Sequence, residues 1–323
     1  MNDLMTRRHA STLISIGSAL AMAGSTIPGD AMAAGVAPQS AVDRHRRKRV
    51  KVLDTDISYV DVGSGDPIVF LHGNPTWSFL WRNVITPLQS QGRCLAPDLV
   101  GMGQSGPMPG GGYRLVDHAR YLDAWFDAVG ATRNVTLVIH DWGSALGFYR
   151  ARRFPEQIKA ITYMEAIVAD RQWPEFGPFE QAFRAIRSTA GEQMVLEQNF
   201  FVEQVLPHAV LKPLPLEVLA QYRKPFPTPA SRAPTLVWPR EIPVEGEPQD
   251  VAAIIKANSD FMAQSPLPKT FIEATPGTMS PSARAVCKAW PNQTTVPISG
   301  IHYIQEDEPQ IVADAVSALL ARA

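Results

Sequence analysis

One stretch narrows the possible folds of this chain more than any other: Val135-Thr136-Leu137-Val138-Ile139-His140-Asp141-Trp142-Gly143-Ser144-Ala145-Leu146-Gly147. The mostly apolar run Val135 to Ile139 predicts a buried strand. It stops at His140-Asp141-Trp142-Gly143, and the small residues Ser144, Ala145 and Gly147 open a helix. Strand, sharp turn and helix together make a nucleophile elbow, in which a strained turn lifts one side chain above the C-terminal edge of a parallel sheet. Asp141 stands at the nucleophile position, with Gly143 two residues after it. Ile139, rather than the usual glycine, lies two residues before. An aspartate there needs no base to activate it; it is already an anion and can attack carbon directly. The plainer alternative at this level is an aspartate that only caps the next helix.

The rest of the chain supplies the sheet such an elbow needs. Lys51-Val52-Leu53 and Asp56 to Val62 alternate in period two and predict an antiparallel pair at a sheet edge. Pro67 to Leu71 is a continuous apolar run, the mark of a central parallel strand. It ends in His72-Gly73-Asn74-Pro75-Thr76-Trp77, before a helix with Trp81, Val84, Ile85 and Leu88 on one face. A strand at 93–98, the glycine loop 101–106, a helix from Leu115 to Val129, the elbow, and a strand from Ile158 to Glu165 continue the alternation. This order predicts a doubly wound, mostly parallel α/β sheet.

After Glu165 the alternation breaks. From Ala166 to Pro239 no strand is legible, and helix-like pieces are split by nine prolines from Pro174 to Pro234. Trp173, Phe176, Phe179, Phe183, Phe200, Phe201, Leu211 and Trp238 supply large apolar side chains there. We expect an inserted helical cap at 166–239 with an apolar underside over the sheet edge, and a core made of 50–165 and 240–323. Strands resume at 268–274 and 293–298, and a last helix runs from Pro309 to Leu320.

Composition excludes several classes. The 323 residues carry Lys+Arg 30 against Asp+Glu 31, so no net field favours nucleic acid or a membrane surface. The basic run Arg44-His45-Arg46-Arg47-Lys48-Arg49 is read as solvated decoration. No histidine or cysteine spacing suggests a metal, and no glycine-rich loop has the spacing for a phosphate cofactor. Cys94 and Cys287 are expected as buried, unpaired thiols, with a disulfide between them as the alternative. Residues 1–34 look like an export signal: Thr6-Arg7-Arg8 opens a twin-arginine-like region. Leu13 to Ala23 is moderately apolar, and Ala31-Met32-Ala33 offers a cleavage site near Ala33 or Ala34. A periplasmic or otherwise exported protein is the expectation.

Asn74, Asp141 with Trp142, Glu165 and His302 all follow strands and should gather at one sheet edge, where open α/β sheets bind ligands. His302 lies just after the last strand, where a general base would stand. The segments His72-Gly73-Asn74-Pro75-Thr76-Trp77, His140-Asp141-Trp142-Gly143, Tyr163 to Ile167, Trp238-Pro239-Arg240 and His302 to Asp307 together resemble the haloalkane dehalogenases of the α/β-hydrolase superfamily. The likeness runs from Val52 to the C-terminus. More narrowly, it is to the subfamily with an Asp-His-Glu triad and an Asn-Trp halide pair. Other subfamilies carry an Asp in the loop after the following strand; here that loop is Thr275-Pro276-Gly277-Thr278, and Glu273 lies inside the strand.

The resemblance implies that Asp141 attacks carbon and forms an alkyl ester, and that His302 activates water with Glu165 as its acid partner. It implies that halide leaves between the side chains of Asn74 and Trp142 in a pocket lined by Pro239, and that the backbone N–H groups of Asn74 and Trp142 form the oxyanion hole. It implies a small apolar halogenated substrate, water and halide as the only partners, no cofactor and no metal, in a monomer or weak homo-oligomer. Three other readings share the fold: an epoxide hydrolase, a cofactor-free luciferase-like oxygenase and a ligand receptor. An epoxide hydrolase of this type uses two cap tyrosines, whereas 166–239 contains only Tyr222.

Overall fold

The elbow strand sits at the centre of an eight-stranded sheet in a computed structural model that describes residues 40–323. The export segment assigned to residues 1–34 lies outside the described residues. The strands are β1 (Arg47–Val52), β2 (Thr55–Val62), β3 (Pro67–Leu71), β4 (Arg93–Pro97), β5 (Val135–Asp141), β6 (Ile158–Ala166), β7 (Lys269–Pro276) and β8 (Gln293–Gly300). Their spatial order is β1-β2-β4-β3-β5-β6-β7-β8. The β1–β2 and β2–β4 pairs are antiparallel, and the rest are parallel. β1 begins at Arg47, earlier than the alternation at Lys51 implied. The basic run therefore forms part of an edge strand, with Arg47 paired to Asp43 at 2.7 Å and Lys48 to Asp61 at 2.7 Å. Lysine and arginine on an edge discourage pairing with another sheet.

Helices cover both faces, as parallel strands buried on two sides require. The helix α1 (Arg82–Leu88) packs with the C-terminal helix, while α2 (Leu115–Ala128) packs against α3 (Trp142–Arg153), which starts at the elbow. Central strands β3 and β5 are buried almost throughout. Cys94 and Cys287 are both buried free thiols.

The chain between β6 and β7 carries α4 (Glu180–Ile186), two π-helical segments (Glu192–Glu197 and Phe201–Val205), α5 (Leu216–Arg223), α6 (Ala233–Glu241) and α7 (Gln249–Gln264). Helix α6 runs through the boundary expected at 239/240, and its end is held where Glu241 accepts from Arg114 Nε at 2.8 Å and the Leu115 N–H at 3.0 Å. α7 returns to pack on α3, with Asn258 bonded to Arg152 and to the Ala145 carbonyl. After β7 come α8 (Pro281–Lys288) and α9 (Pro309–Leu320), the latter preceded by the short helical turn Ile304–Asp307.

The aromatics of the insert divide in a way their composition did not reveal. Trp238, Tyr222 and Phe226 join the main core. Phe200 and Phe201 build a separate small core with Ile186, Met194, Val195 and Leu236. The insert is tied down at the C-terminal edge of the sheet: the N–H groups of His302 and Tyr303 both donate to the Ala209 carbonyl, at 3.0 and 3.1 Å. Asp307 accepts the Leu211 and Lys212 N–H groups. Beneath that seam Arg82 makes a buried two-pronged bond to Glu306, at 2.6 and 2.8 Å, and Tyr222 donates its hydroxyl to the same carboxylate.

The isoleucine before the elbow is accommodated by a glycine one turn into α3. A Cβ at Gly147 would lie 2.7 Å from Ile139 Cγ2. Alanine normally improves a helix interior over glycine by ~1 kcal/mol. Here overpacking should outweigh that gain, costing about 1–3 kcal/mol, so Gly147→Ala should lower the melting temperature. Adding Ile139→Ala should recover part of the loss in a non-additive double-mutant cycle. Strict additivity in thermal denaturation would contradict this packing account.

Candidate active site

Asp141 ends β5 and precedes α3 with φ +50° and ψ −127°, a backbone geometry that an ordinary side chain adopts only under constraint. Two close approaches impose it. A Cβ at Gly143 would come within 2.2 Å of the Leu71 carbonyl oxygen, so α3 can start against the end of β3 only with glycine there. A Cβ at Gly73 would fall 2.0 Å from Asp141 Oδ1. The loop after β3 thus comes flush against the carboxylate, and the Asn74 N–H donates to Oδ1 at 2.8 Å. The Trp142 N–H, at the positive end of α3, also favours the ionised carboxylate. Burial alone would raise the Asp141 pKa; hydrogen bonding and charge from His302, with the Trp142 N–H, reverse this and hold it below the usual value.

Glu165 reaches the same edge through a bulge. β5 and β6 pair His140 with Met164 and then Asp141 with Ala166, leaving Glu165 as the extra residue, at φ +42°. Its carboxylate is nearly sealed from solvent and lies 3.3 Å from His302 Nδ1. His302 Nε2 faces Asp141 Oδ2 at 3.6 Å. Burial pulls the imidazole pKa down, but the contacts with Asp141 and then Glu165 dominate and raise it to about 9. The neighbouring His140 is pushed the other way, to about 3, first by burial and then by His302. It is therefore neutral, and its Nε2 bonds to the His302 carbonyl at 3.0 Å, steadying the loop that carries His302.

The structure brings together Asp141, His302, Glu165, Asn74 and Trp142, all expected at this edge. The buried Asn74 side-chain Oδ1 has no hydrogen-bond partner among the described residues. Tyr303 holds the Asn74 backbone in place by donating its hydroxyl to the Asn74 carbonyl at 3.0 Å. The Trp142 ring stacks on Trp238 at 4.6 Å between centroids, and Trp238 stacks on His118 at 4.2 Å. Pro239 is buried next to Trp238 in α6.

Several residues of the site received no role from the sequence. Thr278, in the loop after β7, bonds to Glu165 Oε2 through its N–H (2.7 Å) and hydroxyl (2.5 Å), and its Oγ1 lies 3.0 Å from His302 Nδ1. Arg171 donates to the Thr278 carbonyl at 2.8 Å. His72 links the two neighbouring loops, receiving the Leu99 N–H on Nε2 and bonding the Gly73 carbonyl through Nδ1. Two rival assignments fall on this geometry. Glu273 pairs instead with Lys288 at 2.7 Å. The Tyr222 hydroxyl is committed to Glu306, so it does not serve as an acid over Asp141.

Comparison with known proteins follows the same lines. Residues 66–309 match the family model described as the alpha/beta hydrolase fold. The chain is 45% identical over 282 residues to a haloalkane dehalogenase of Sphingobium indicum, covering 85% of this chain and 95% of that protein. It is 42% identical to one from Mycolicibacterium smegmatis, covering 82% and 87%. Among solved structures, haloalkane dehalogenase DbeA from Bradyrhizobium elkani superposes with a TM-score of 0.82 at 38% identity, over 86% of this chain and 98% of that one.

Two carboxylates flank one imidazole, and this has a direct consequence. The His302 ring should titrate near 9, followed by its carbon-bound proton in NMR. Asp141→Asn and Glu165→Gln should each lower that midpoint, because each removes an anion that favours the imidazolium. A midpoint unmoved by both substitutions would contradict the geometry.

Proposed function

The chain belongs to the α/β hydrolases and, within them, to the haloalkane dehalogenases, and from that premise we propose how its own residues divide the work. The overall reaction hydrolyses a carbon–halogen bond to an alcohol, a halide ion and a proton. Displacement at saturated carbon needs a desolvated anion in line with the departing halogen. Asp141 fits that need, and the bond of its Oδ1 to the Asn74 N–H is the observation that carries the reading. With Oδ1 held by the Asn74 N–H, Oδ2 is the oxygen that attacks. The carbon–halogen electron pair leaves with the halide, and an alkyl ester of Asp141 remains.

The departing halide gathers negative charge, and the donors for it are the side-chain amide of Asn74 and the indole N–H of Trp142, with Pro239 lining the pocket. Neutral donors stabilise the leaving group without quenching the nucleophile, as a lysine or arginine would. Support for Trp142 as a rigid donor comes from its stacking on Trp238. The insert serves as the lid that excludes bulk water during displacement.

Alkylation removes the charge of Asp141, and with it a major cause of the raised His302 pKa. The imidazole then falls toward neutrality when a base is required. His302 takes a proton from water, the hydroxide adds to the ester carbon, and the oxyanion forms on Oδ1, where the Asn74 N–H already points and the Trp142 N–H completes the hole. Collapse releases the alcohol, which takes the proton of the added hydroxyl, and restores the carboxylate. The imidazolium, stabilised by Glu165, is the resting state again, the proton of the overall reaction being the one His302 gave to solvent on alkylation.

Incubation of His302→Phe with a short bromoalkane should accumulate the alkyl-enzyme, seen as a mass increase on the peptide that holds Asp141. Asp141→Ala should release no bromide, and Asn74→Ala should lose roughly 100- to 1000-fold in turnover. A folded His302→Phe variant that turns over normally, or carries no adduct, would contradict the scheme.

We further infer export, supported by Arg7-Arg8, the apolar stretch Leu13 to Ala23 and the small residues Ala31-Met32-Ala33. Protein recovered from the periplasmic fraction of a bacterial host should begin near Ala34. Recovery only from the cytosol, with Met1 or Asn2 at the N-terminus, would contradict it.

A further inference from the structure

We propose that Thr278 is a positioning residue for the hydrolytic half of the reaction, its hydroxyl standing between the carboxylate of Glu165 and the imidazole of His302. The inference rests on the assignment of His302 as base and Glu165 as its partner.

The argument is one of donors and acceptors. Glu165 Oε2 accepts the Thr278 backbone N–H at 2.7 Å and lies 2.5 Å from the Thr278 hydroxyl. A carboxylate oxygen that accepts from both has no proton to return, so the single hydroxyl proton of Thr278 is donated to Glu165. What Oγ1 presents to His302 is a lone pair, and at 3.0 Å it accepts the proton on Nδ1. Glu165 Oε2 also bonds Nδ1, at the longer distance of 3.3 Å, so the Nδ1 proton is shared between the two acceptors. The threonine hydroxyl is thus the nearer partner of the base, and it pins the histidine proton on Nδ1. In the neutral ring the free lone pair then lies on Nε2, on the side of Asp141 Oδ2.

The loop is built to hold this position. The Gly277 N–H bonds to the Gly300 carbonyl at 3.0 Å, tying the end of β7 to the strand that delivers His302. Gly277 has φ +64°, and a Cβ there would lie 2.9 Å from Glu165 Oε1. Arg284 donates to the carbonyls of Ala274, Pro276 and Met279, Arg171 donates to that of Thr278, and Ser280 caps α8. Every charged or titratable group facing His302 therefore has a defined place. Asp141 and Glu165 lie on its two nitrogens, and the neutral His140 and the Tyr303 ring each lie 4.7 Å away between centroids. Arg171 stands behind the Glu165–Thr278 pair.

The test compares wild type, Thr278→Val and Thr278→Ser in rapid-mixing experiments with a short primary bromoalkane. Bromide release in the first turnover reads alkylation, and alkyl-enzyme decay reads hydrolysis. Valine keeps the shape and removes the hydroxyl. It should leave the alkylation rate unchanged and slow hydrolysis roughly ten- to a hundredfold, the range of one hydrogen bond to a charged group. Its hydrolysis-against-pH midpoint should fall, because the imidazolium loses an acceptor. Serine should restore most of the rate and the midpoint. A Thr278→Val enzyme that hydrolyses the ester at the wild-type rate with an unmoved midpoint would overturn the proposal. So would equal slowing of both phases without rescue by serine, which would mark a purely structural role. In either case the adduct trapped by His302→Phe still reports on the covalent scheme itself, so the two failures are distinguishable.

Discussion

Everything at this site depends on backbone N–H groups closing on the Asp141 carboxylate, that of Asn74 on Oδ1 and that of Trp142 at the start of α3. Neither donor can be supplied by a side chain substitution, because each is fixed by how the chain turns at the ends of β3 and β5. The turns exist only because Gly73 and Gly143 leave room, and because the surrounding sheet over-determines the strained φ of Asp141. In the proposed scheme these donors stand where charge returns when water adds to the ester. Little reorganisation is needed at that moment, which is what makes a preorganised site effective.

The same compactness governs the electrostatics. Asp141 and Glu165 share one imidazole, and their joint influence outweighs its burial and raises its pKa to about 9. In the resting enzyme the proton on His302 balances the charge of a dry nucleophile. In the proposed scheme, esterification of that nucleophile shifts the balance and the histidine becomes a base. The carboxylate chemistry and the base chemistry are therefore coupled through a single proton, without a cofactor step in the scheme. His140, neutral and bonded to the His302 backbone, adds rigidity without adding charge.

How much of this was legible in the sequence depends on whether a feature is local. The elbow at 135–147 announced Asp141 because strand, turn and helix signals fall within one short stretch. The alternation of strands and helices was equally local, and it located Asn74, Glu165 and His302 at strand ends. Thr278 was invisible because its role comes from the register of β7 against β8 and from a bulge that turns Glu165 toward it. The aromatics of the insert were visible as composition, but their partition between a private core and the main core depends on packing of segments far apart in sequence. Ile139 looked like a departure from the usual elbow. Its compensation, Gly147, lies one helical turn beyond and is recognisable only when both are placed in space.

The central claim is that Asp141 becomes covalently attached to substrate carbon, and isotopic oxygen tests it most directly. In a single turnover of excess enzyme with a bromoalkane in heavy-oxygen water, the alcohol should carry light oxygen drawn from Asp141. The peptide containing Asp141 should acquire the heavy label. Heavy oxygen in the alcohol from that first turnover, with an unlabelled Asp141 peptide, would mean that water displaces halide directly and would contradict the account.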